Sequence, residues 1–278
     1  GGGGGAIGEG ACSEVGGGGA QDSGAGVVGG AAAGVNSTTD VFGGDGAYSF
    51  VDKDGEYMIV SYVYNYKSLL SLPYNGTGKA LDTDTDSGSF INPGDLDDNL
   101  DILYANASEG SKDSIVRYTG IKPGQTLVKK RFGDPNLAGP ATAFEVSPFT
   151  TTSTKLFIGT RNGLILKVEN ANTTPSWSFI GDAKITGSVS DIAFGANENE
   201  IMFSSTHLDP EARNKQKLEL QFRASGKSRR YSWNFSETMD MYVFMKKIKY
   251  YILEIVVRKL MKLIRFLIEI IVNKIVVE

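Results

Sequence analysis

The sequence predicts an all-β fold in which a unit of four antiparallel strands repeats along the chain. Three observations predict it. Short apolar or alternating runs, separated by Gly, Asn, Asp and Pro clusters, dominate residues 47–204, which is the pattern of strands and turns. Four of these runs look alike: residues 57–61, 101–105, 155–159 and 200–204. Each follows a turn-rich lead-in, such as Asp54-Gly55 or Asn197-Glu198-Asn199. Their centres lie about 44, 54 and 45 residues apart, and repeats of about 40–50 residues with four strands each are the signature of β-propeller blades.

Residues 1–39 form a Gly-rich, low-complexity head with a blade remnant. Sixteen of the 35 glycines fall in residues 1–34, among few large apolar side chains. Such a segment buries too little surface to offset its ordering entropy, so loose order is expected. The blades occupy residues 40–204. The first unit reads as strands at 47–51, 57–64 and 67–72, with its fourth strand undefined. The second reads as 89–92, 101–105, 114–118 and 126–132. The third is the clearest, at 141–146, 156–160, 164–168 and 176–180, because Asn162-Gly163 between two apolar runs is a strong hairpin signal. The fourth opens at 189–194 and stops near Ser205. The expected architecture is a partial β-propeller of three to four blades.

Charge marks the same boundary. Residues 205–278 carry 15 Lys+Arg and 8 Asp+Glu, while residues 1–204 carry 13 and 24. An acidic blade region argues against nucleic acid as a partner. Cys12 is the single cysteine, so no intrachain disulfide forms, and His207 is the single histidine, which argues against a multi-His metal site and a Ser-His-Asp triad. The first residues carry no Met and no basic or apolar leader. They read as a processed chain or as an internal piece of a longer one.

Residues 205–238 read as a polar, basic linker and 239–278 as an amphipathic segment. In that segment Glu254, Arg258, Lys262, Arg265, Glu269 and Asn273 recur every three or four residues. That spacing puts a polar stripe on an apolar helix, suited to a membrane surface or an oligomer contact.

Candidate sites follow from residue chemistry. Hydrolysis of a glycoside needs two opposed carboxyl groups. Asp45, between glycines, and Asp22, in Gln21-Asp22-Ser23-Gly24, are the candidates; Asp beside Gly is also ordinary turn chemistry. Asp82, Asp84 and Asp86 alternate along a run ending at Gly88. That spacing suits Ca²⁺, which takes six to eight oxygens from a flexible loop. Asp95, Asp97 and Asp98 could complete such a site, and a solvated acidic loop is the plain alternative. Tyr57, Tyr62, Tyr64, Tyr66 and Tyr74 offer either a sugar-stacking platform or packing between blades. Arg161 is a turn cation that could meet an anion.

Several phrases resemble the secreted sortilin-like (Vps10-type) and Asp-box β-propellers of Bacteroidetes. They are Ala20-Gln21-Asp22-Ser23-Gly24, Gly43-Gly44-Asp45-Gly46-Ala47-Tyr48, Phe90-Ile91-Asn92-Pro93, Leu156-Phe157-Ile158-Gly159-Thr160 and Val189-Ser190-Asp191-Ile192-Ala193. The nearest Asp-box match runs from Glu169 to Trp177 and lacks the box's Asp and Gly. Residues 250–255 and 273–278 resemble the last strands of a type IX secretion sorting domain. The resemblance implies a secreted or cell-surface module that binds a polysaccharide or a protein. It also admits an endo-xyloglucanase-like hydrolase, and the break at Ser205 admits a truncated or composite chain. Fold alone does not choose among these.

Overall fold

The computed structural model describes residues 5–7, 15–20, 22–29, 37–180, 187–208, 216–224 and 227–235. The chain forms two compact units, Gly1–His207 with Glu219–Ser232, and Leu208–Leu218 with Trp233–Glu278. The described side chains belong to the first.

Among the described residues, twenty strands form five four-stranded sheets, and within each sheet the strands pair in chain order. The first sheet holds Gly5–Ile7 (β1), Val15–Ala20 (β2), Gly24–Gly29 (β3) and Thr39–Phe42 (β4). The second holds Ser49–Val51 (β5), Tyr57–Ser61 (β6), Asn65–Ser71 (β7) and Gly78–Asp84 (β8). The third holds Gly94–Asp97 (β9), Ile102–Asn106 (β10), Ile115–Thr119 (β11) and Val128–Phe132 (β12). The fourth holds Ala141–Val146 (β13), Leu156–Thr160 (β14), Ile165–Glu169 (β15) and Ser176–Phe179 (β16). The fifth holds Ser188–Phe194 (β17), Ile201–Leu208 (β18), Gln216–Ala224 (β19) and Lys227–Phe235 (β20). Consecutive four-stranded meanders of this kind are propeller blades.

Packing between neighbouring blades explains the sequence pattern. Every residue of β6, β10 and β14 is buried. Strand side chains alternate between the two faces of a sheet. Met58 and Val60 accordingly pack with Ala25 and Val27 of the first blade, while Tyr57 and Ile59 pack with Leu103 and Ala105 of the third. Ile102 and Tyr104 then meet Leu156 and Ile158, and Phe157 meets Val189 and Phe203. A second strand with a blade on each side has no solvent face. It is therefore mainly apolar, with one buried polar residue at its end (Ser61, Asn106 or Thr160), and burying each large apolar side chain contributes about 1.5–3 kcal/mol. The fourth strands face water, and β12 and β16 are mostly exposed.

Four features differ from the sequence reading. First, the Gly-rich head, read as loosely ordered with a blade remnant, contributes three strands of a full four-stranded blade and the start of the fourth. Its order comes from Ala25 and Val27, which are buried against the second blade, and from glycines that let backbones touch. A Cβ on Gly19 would lie 2.3 Å from the Ala47 carbonyl oxygen. Second, the inner strand of the third blade is β9, not residues 89–92. Phe90 and Ile91 are exposed, and Asn92 is buried in a polar network below them. Third, the acidic run at Asp82 and Asp84 lies on β8, the undefined fourth strand, rather than in a loop. Fourth, residues 205–238 contain β19 and β20 where a linker was expected. The alternation of Leu218, Leu220 and Phe222, and of Tyr231, Trp233 and Phe235, is strand-like. Cys12 and residues 239–278, with the expected helix and the sorting-domain resemblance, lie outside the described residues.

The topology sorts the loops into two ends. Each connection from an even to an odd strand emerges at one end, since four antiparallel strands restore the starting direction. Hydrogen bonds between these connections place them together. Asp22 N–H donates to Asp45 Oδ1 at 3.1 Å. Tyr64 N–H donates to Phe90 O at 3.0 Å, and Gly88 N–H to Ser108 O at 2.9 Å. Gly139 N–H donates to Asp113 Oδ2 at 2.7 Å. The odd-to-even connections meet at the other end, where Lys53 N–H donates to Asp98 Oδ1 at 2.9 Å and Ser147 Oγ donates to Glu198 Oε1 at 2.7 Å.

Candidate functional site

The β8–β9 connection, residues 85–93, holds two apolar side chains out in water at the even-to-odd end. Phe90 is 46% exposed and Ile91 is 41% exposed. Beneath them lie three buried asparagines, Asn65, Asn92 and Asn106. Asn92 Nδ2 donates to Asn65 Oδ1 at 2.8 Å and to Asn106 O at 2.9 Å. Asn65 Nδ2 donates to Ser87 O at 3.1 Å, Ser87 Oγ at 3.0 Å and Asn106 O at 2.9 Å. Asn92 Oδ1 accepts from Ser89 N–H at 2.8 Å. Gly88 sits at φ +92°, and a Cβ there would fall 2.6 Å from the Asn92 amide. Each such bond contributes about 0.5–1.5 kcal/mol, and a buried amide left without a partner costs about 1–3 kcal/mol. The network therefore fixes the loop that carries the tip.

Aromatic rings line this end of the blades. Tyr64, at φ +56°, stacks edge-on with Phe90 at 5.9 Å between centroids. Phe42, Tyr62 and Tyr66 form a second edge-to-face chain, also at 5.9 Å per step. Of the five tyrosines singled out in the sequence, Tyr62, Tyr64 and Tyr66 thus lie at this end. Tyr57 does not: it is fully buried, and its hydroxyl donates to Asp101 Oδ1 at 3.0 Å. Tyr74 packs against the core between the first two blades.

The acidic candidates fall in separate places. Asp45 caps the turn at Asp22, whose φ is +62°, so the structure brings these two together as turn partners. Asp82 and Asp84 face cations and hydroxyls. Asp82 Oδ2 lies 2.5 Å from Lys129 Nζ and accepts from the Tyr118 hydroxyl at 2.6 Å. Asp84 Oδ2 lies 2.9 Å from Arg131 and accepts from Ser87 Oγ at 2.7 Å. Burial raises the Asp84 carboxyl, but N–H groups of Asp86 and Ser87, the Ser87 hydroxyl and Lys129 outweigh it and hold it below the usual range. Asp86 is exposed. Asp97 caps the turn at Asn99 and Leu100 and accepts from Thr154 Oγ1. Asp98 accepts from Lys53 N–H. Among the described residues, no group of three or more His, Cys, Asp or Glu side chains is arranged to hold a metal ion. Arg161 lies exposed in the β14–β15 turn.

Sequence reasoning missed a set of carboxyl groups on the inner strands. Asp95 on β9 and Asp191 on β17 act from the two neighbouring blades on Glu145 of β13 between them. Burial raises Asp95 to about 7; Val146 and Leu96 N–H groups offset part of this, and Asp97 and Asp98 add to it. Asp95 Oδ2 accepts from Val146 N–H at 2.6 Å, tying the third blade to the fourth. Burial, then the charges of Asp95 and Asp191, raise Glu145 to about 8. Desolvation raises Asp191, offset by Ile192 N–H, and burial followed by the Asp191 charge raises the Tyr48 hydroxyl. The available signal was positional. The three acids are 50 and 46 residues apart, the spacing of the blades.

A cavity of about 270 Å³ lies at the other end, between Leu69, Lys79 and Leu81 on one side and Ile121, Lys122 and Leu127 on the other.

No protein-family model matches the sequence, and no curated protein matches it. Among solved structures, the chain is similar to the β-propeller domain of Cps50 (Swd1) from Myceliophteria thermophila. Identity is 10%, the match covers 81% of this chain and 70% of that one, and the TM-score is 0.49. It is also similar to a chain of a mitotic checkpoint complex, at 12% identity, 80% and 76% coverage and a TM-score of 0.42. Likenesses of this degree carry no argument about function; the propeller architecture rests on the paired strands described above.

Proposed function

We propose that the chain is a binding or adhesion module of a secreted or cell-surface protein, and that it takes a polysaccharide or protein ligand at the even-to-odd end of its blades. The observation that carries this reading is the exposed Phe90–Ile91 tip beside Tyr64, held by buried amides. Apolar and aromatic groups fixed in water lose little entropy on binding, which is what makes such groups effective anchors. The resemblance to secreted sortilin-like and Asp-box propellers fits the same reading.

The test is direct binding of the whole chain to soluble β-glucans and to extracellular proteins, with release of reducing ends followed in parallel. Saturable binding that Tyr64→Ala or Phe90→Ser weakens at least tenfold, without sugar release, is expected. Turnover of any β-glucan, abolished by Asp45→Asn, would favour the hydrolase instead. Binding that neither Tyr64→Ala nor Phe90→Ser weakens would move the ligand away from this end.

A further inference from the structure

The most extensive buried amide network among the described residues lies directly under the exposed apolar tip. That juxtaposition says more than that something binds here. Asn65, Asn92 and Asn106 join the second blade, the β8–β9 loop and the third blade into one hydrogen-bonded block. Tyr64 N–H fixes the carbonyl of Phe90 itself. The block keeps Phe90 and Ile91 from folding back onto the surface, although burial of either would be favourable by about 1.5–3 kcal/mol.

We propose that this tip is the anchor of a protein-binding surface, and that its occupant is a basic protein surface with an apolar socket. The inference rests on the reading of this end as the binding end and narrows its ligand.

Two observations select the occupant. The first is shape. Phe90 and Ile91 are consecutive exposed residues of one loop, and an aliphatic branch next to a ring offers no continuous flat face to stack on a sugar. Such a pair fits a socket, as buried anchors at protein interfaces do. The second is charge. Among the described residues, the even-to-odd connections carry six acidic groups, one of which, Glu109, is paired with Arg131 of β12, against two basic ones, Lys112 and Arg161. Asp86 stands four residues from Phe90, exposed. A rim of this sign attracts Lys and Arg around the socket, and it repels an anionic lipid surface.

The probe is a 14-residue cationic amphipathic peptide of leucine and lysine, with cellohexaose and phosphatidylglycerol vesicles as the competing classes. Binding to the full chain is read by fluorescence anisotropy for the peptide and by co-sedimentation or calorimetry for the others. The peptide is expected to bind at 50 mM NaCl and to weaken at least tenfold at 500 mM. The double variant Phe90→Ser/Ile91→Ser is expected to bind at least tenfold more weakly. That variant alters no charge, so attraction by net charge alone would leave it unaffected. Phe149→Ser, at the opposite end and equally exposed at 46%, is expected to bind as the parent does. Thermal melting of all variants at the parental midpoint shows that the fold is kept. No peptide binding, or equal binding by the double variant, overturns the proposal. Cellohexaose or vesicles held through the tip also overturn it, while leaving this end as the binding end.

Discussion

Gly46→Val is expected to cost about 3 kcal/mol of folding stability, read as a lower urea midpoint. Gly46 sits where the first two blades touch, and its N–H donates to Ala20 O at 2.9 Å. A Cβ there would lie 2.0 Å from Gly24 O and 2.6 Å from Ala20 N. All of these are backbone atoms of paired strands, so no side chain can swing aside. Either the blades separate and expose Ala25, Val27, Met58 and Val60, or the turn distorts. Gly43 is three residues away in the same connection, with nothing within 4 Å of a Cβ. Gly43→Ala is therefore expected to stay within about 0.5 kcal/mol of the parent. Equal midpoints for the two variants would mean that the Gly-rich segment does not dock as a blade.

Raising the pH from 5 to 8 is expected to lower stability. Asp95 and Glu145 ionise near 7 and 8 in the folded chain, against ordinary values of 3.8 and 4.5. Between those limits the folded state holds more protons than the unfolded state, so stability falls as pH rises. Each group contributes up to about 1.4 kcal/mol per pH unit across its window. Asp191, also raised, acts in the same direction. Asp84 and Glu198 are held low by their partners, so their stabilisation is lost only in acid, below the ordinary carboxyl range. Lys67 is buried, and burial followed by Lys129 lowers it to about 8 against the pull of Asp82. Above pH 8 the unfolded chain binds the extra proton at that lysine, and stability recovers in part. Urea midpoints at pH 5, 6, 7 and 8 should therefore descend, and Glu145→Gln should flatten the descent. A midpoint that climbs over this range would show that the inner-strand carboxyls are ionised and stabilised in the folded chain.

What the sequence made legible follows from burial. The second strands stand out because β6, β10 and β14 have a blade on each side, are buried along their whole length and are mainly apolar. The fourth blade, the third unit read in the sequence, matches its expected strands almost residue for residue, since Asn162-Gly163 fixes its hairpin and Gly163 adopts φ +79°. The first blade was hidden because glycine composition signals loose order, whereas here Gly19 and Gly46 permit close backbone approach. The Asp82–Asp84 alternation resembles a cation loop and is instead the period of a strand, whose acids on one face meet Lys129 and Arg131. The binding surface was half visible. Tyr62, Tyr64 and Tyr66 could be picked out by type. Phe90 and Ile91 looked like an inner strand, because exposure depends on the three asparagines beneath them and no local pattern reveals a network spanning 41 residues. The charges of Asp95 and Asp191 reach Glu145 only because the blades stack.

The central claim is that one end of the blades presents a preformed surface, and amide hydrogen exchange tests it without any ligand. The amides of Tyr64, Gly88 and Ser89 lie in connections, yet each donates to a fixed acceptor, Phe90 O, Ser108 O and Asn92 Oδ1 respectively. They are predicted to exchange within about tenfold of the β10 core amide of Leu103, near the rate set by global opening. Exchange of these three at the rate of unprotected loop amides would contradict the account, because the tip that carries Phe90 and Ile91 would then be loose before any ligand arrives.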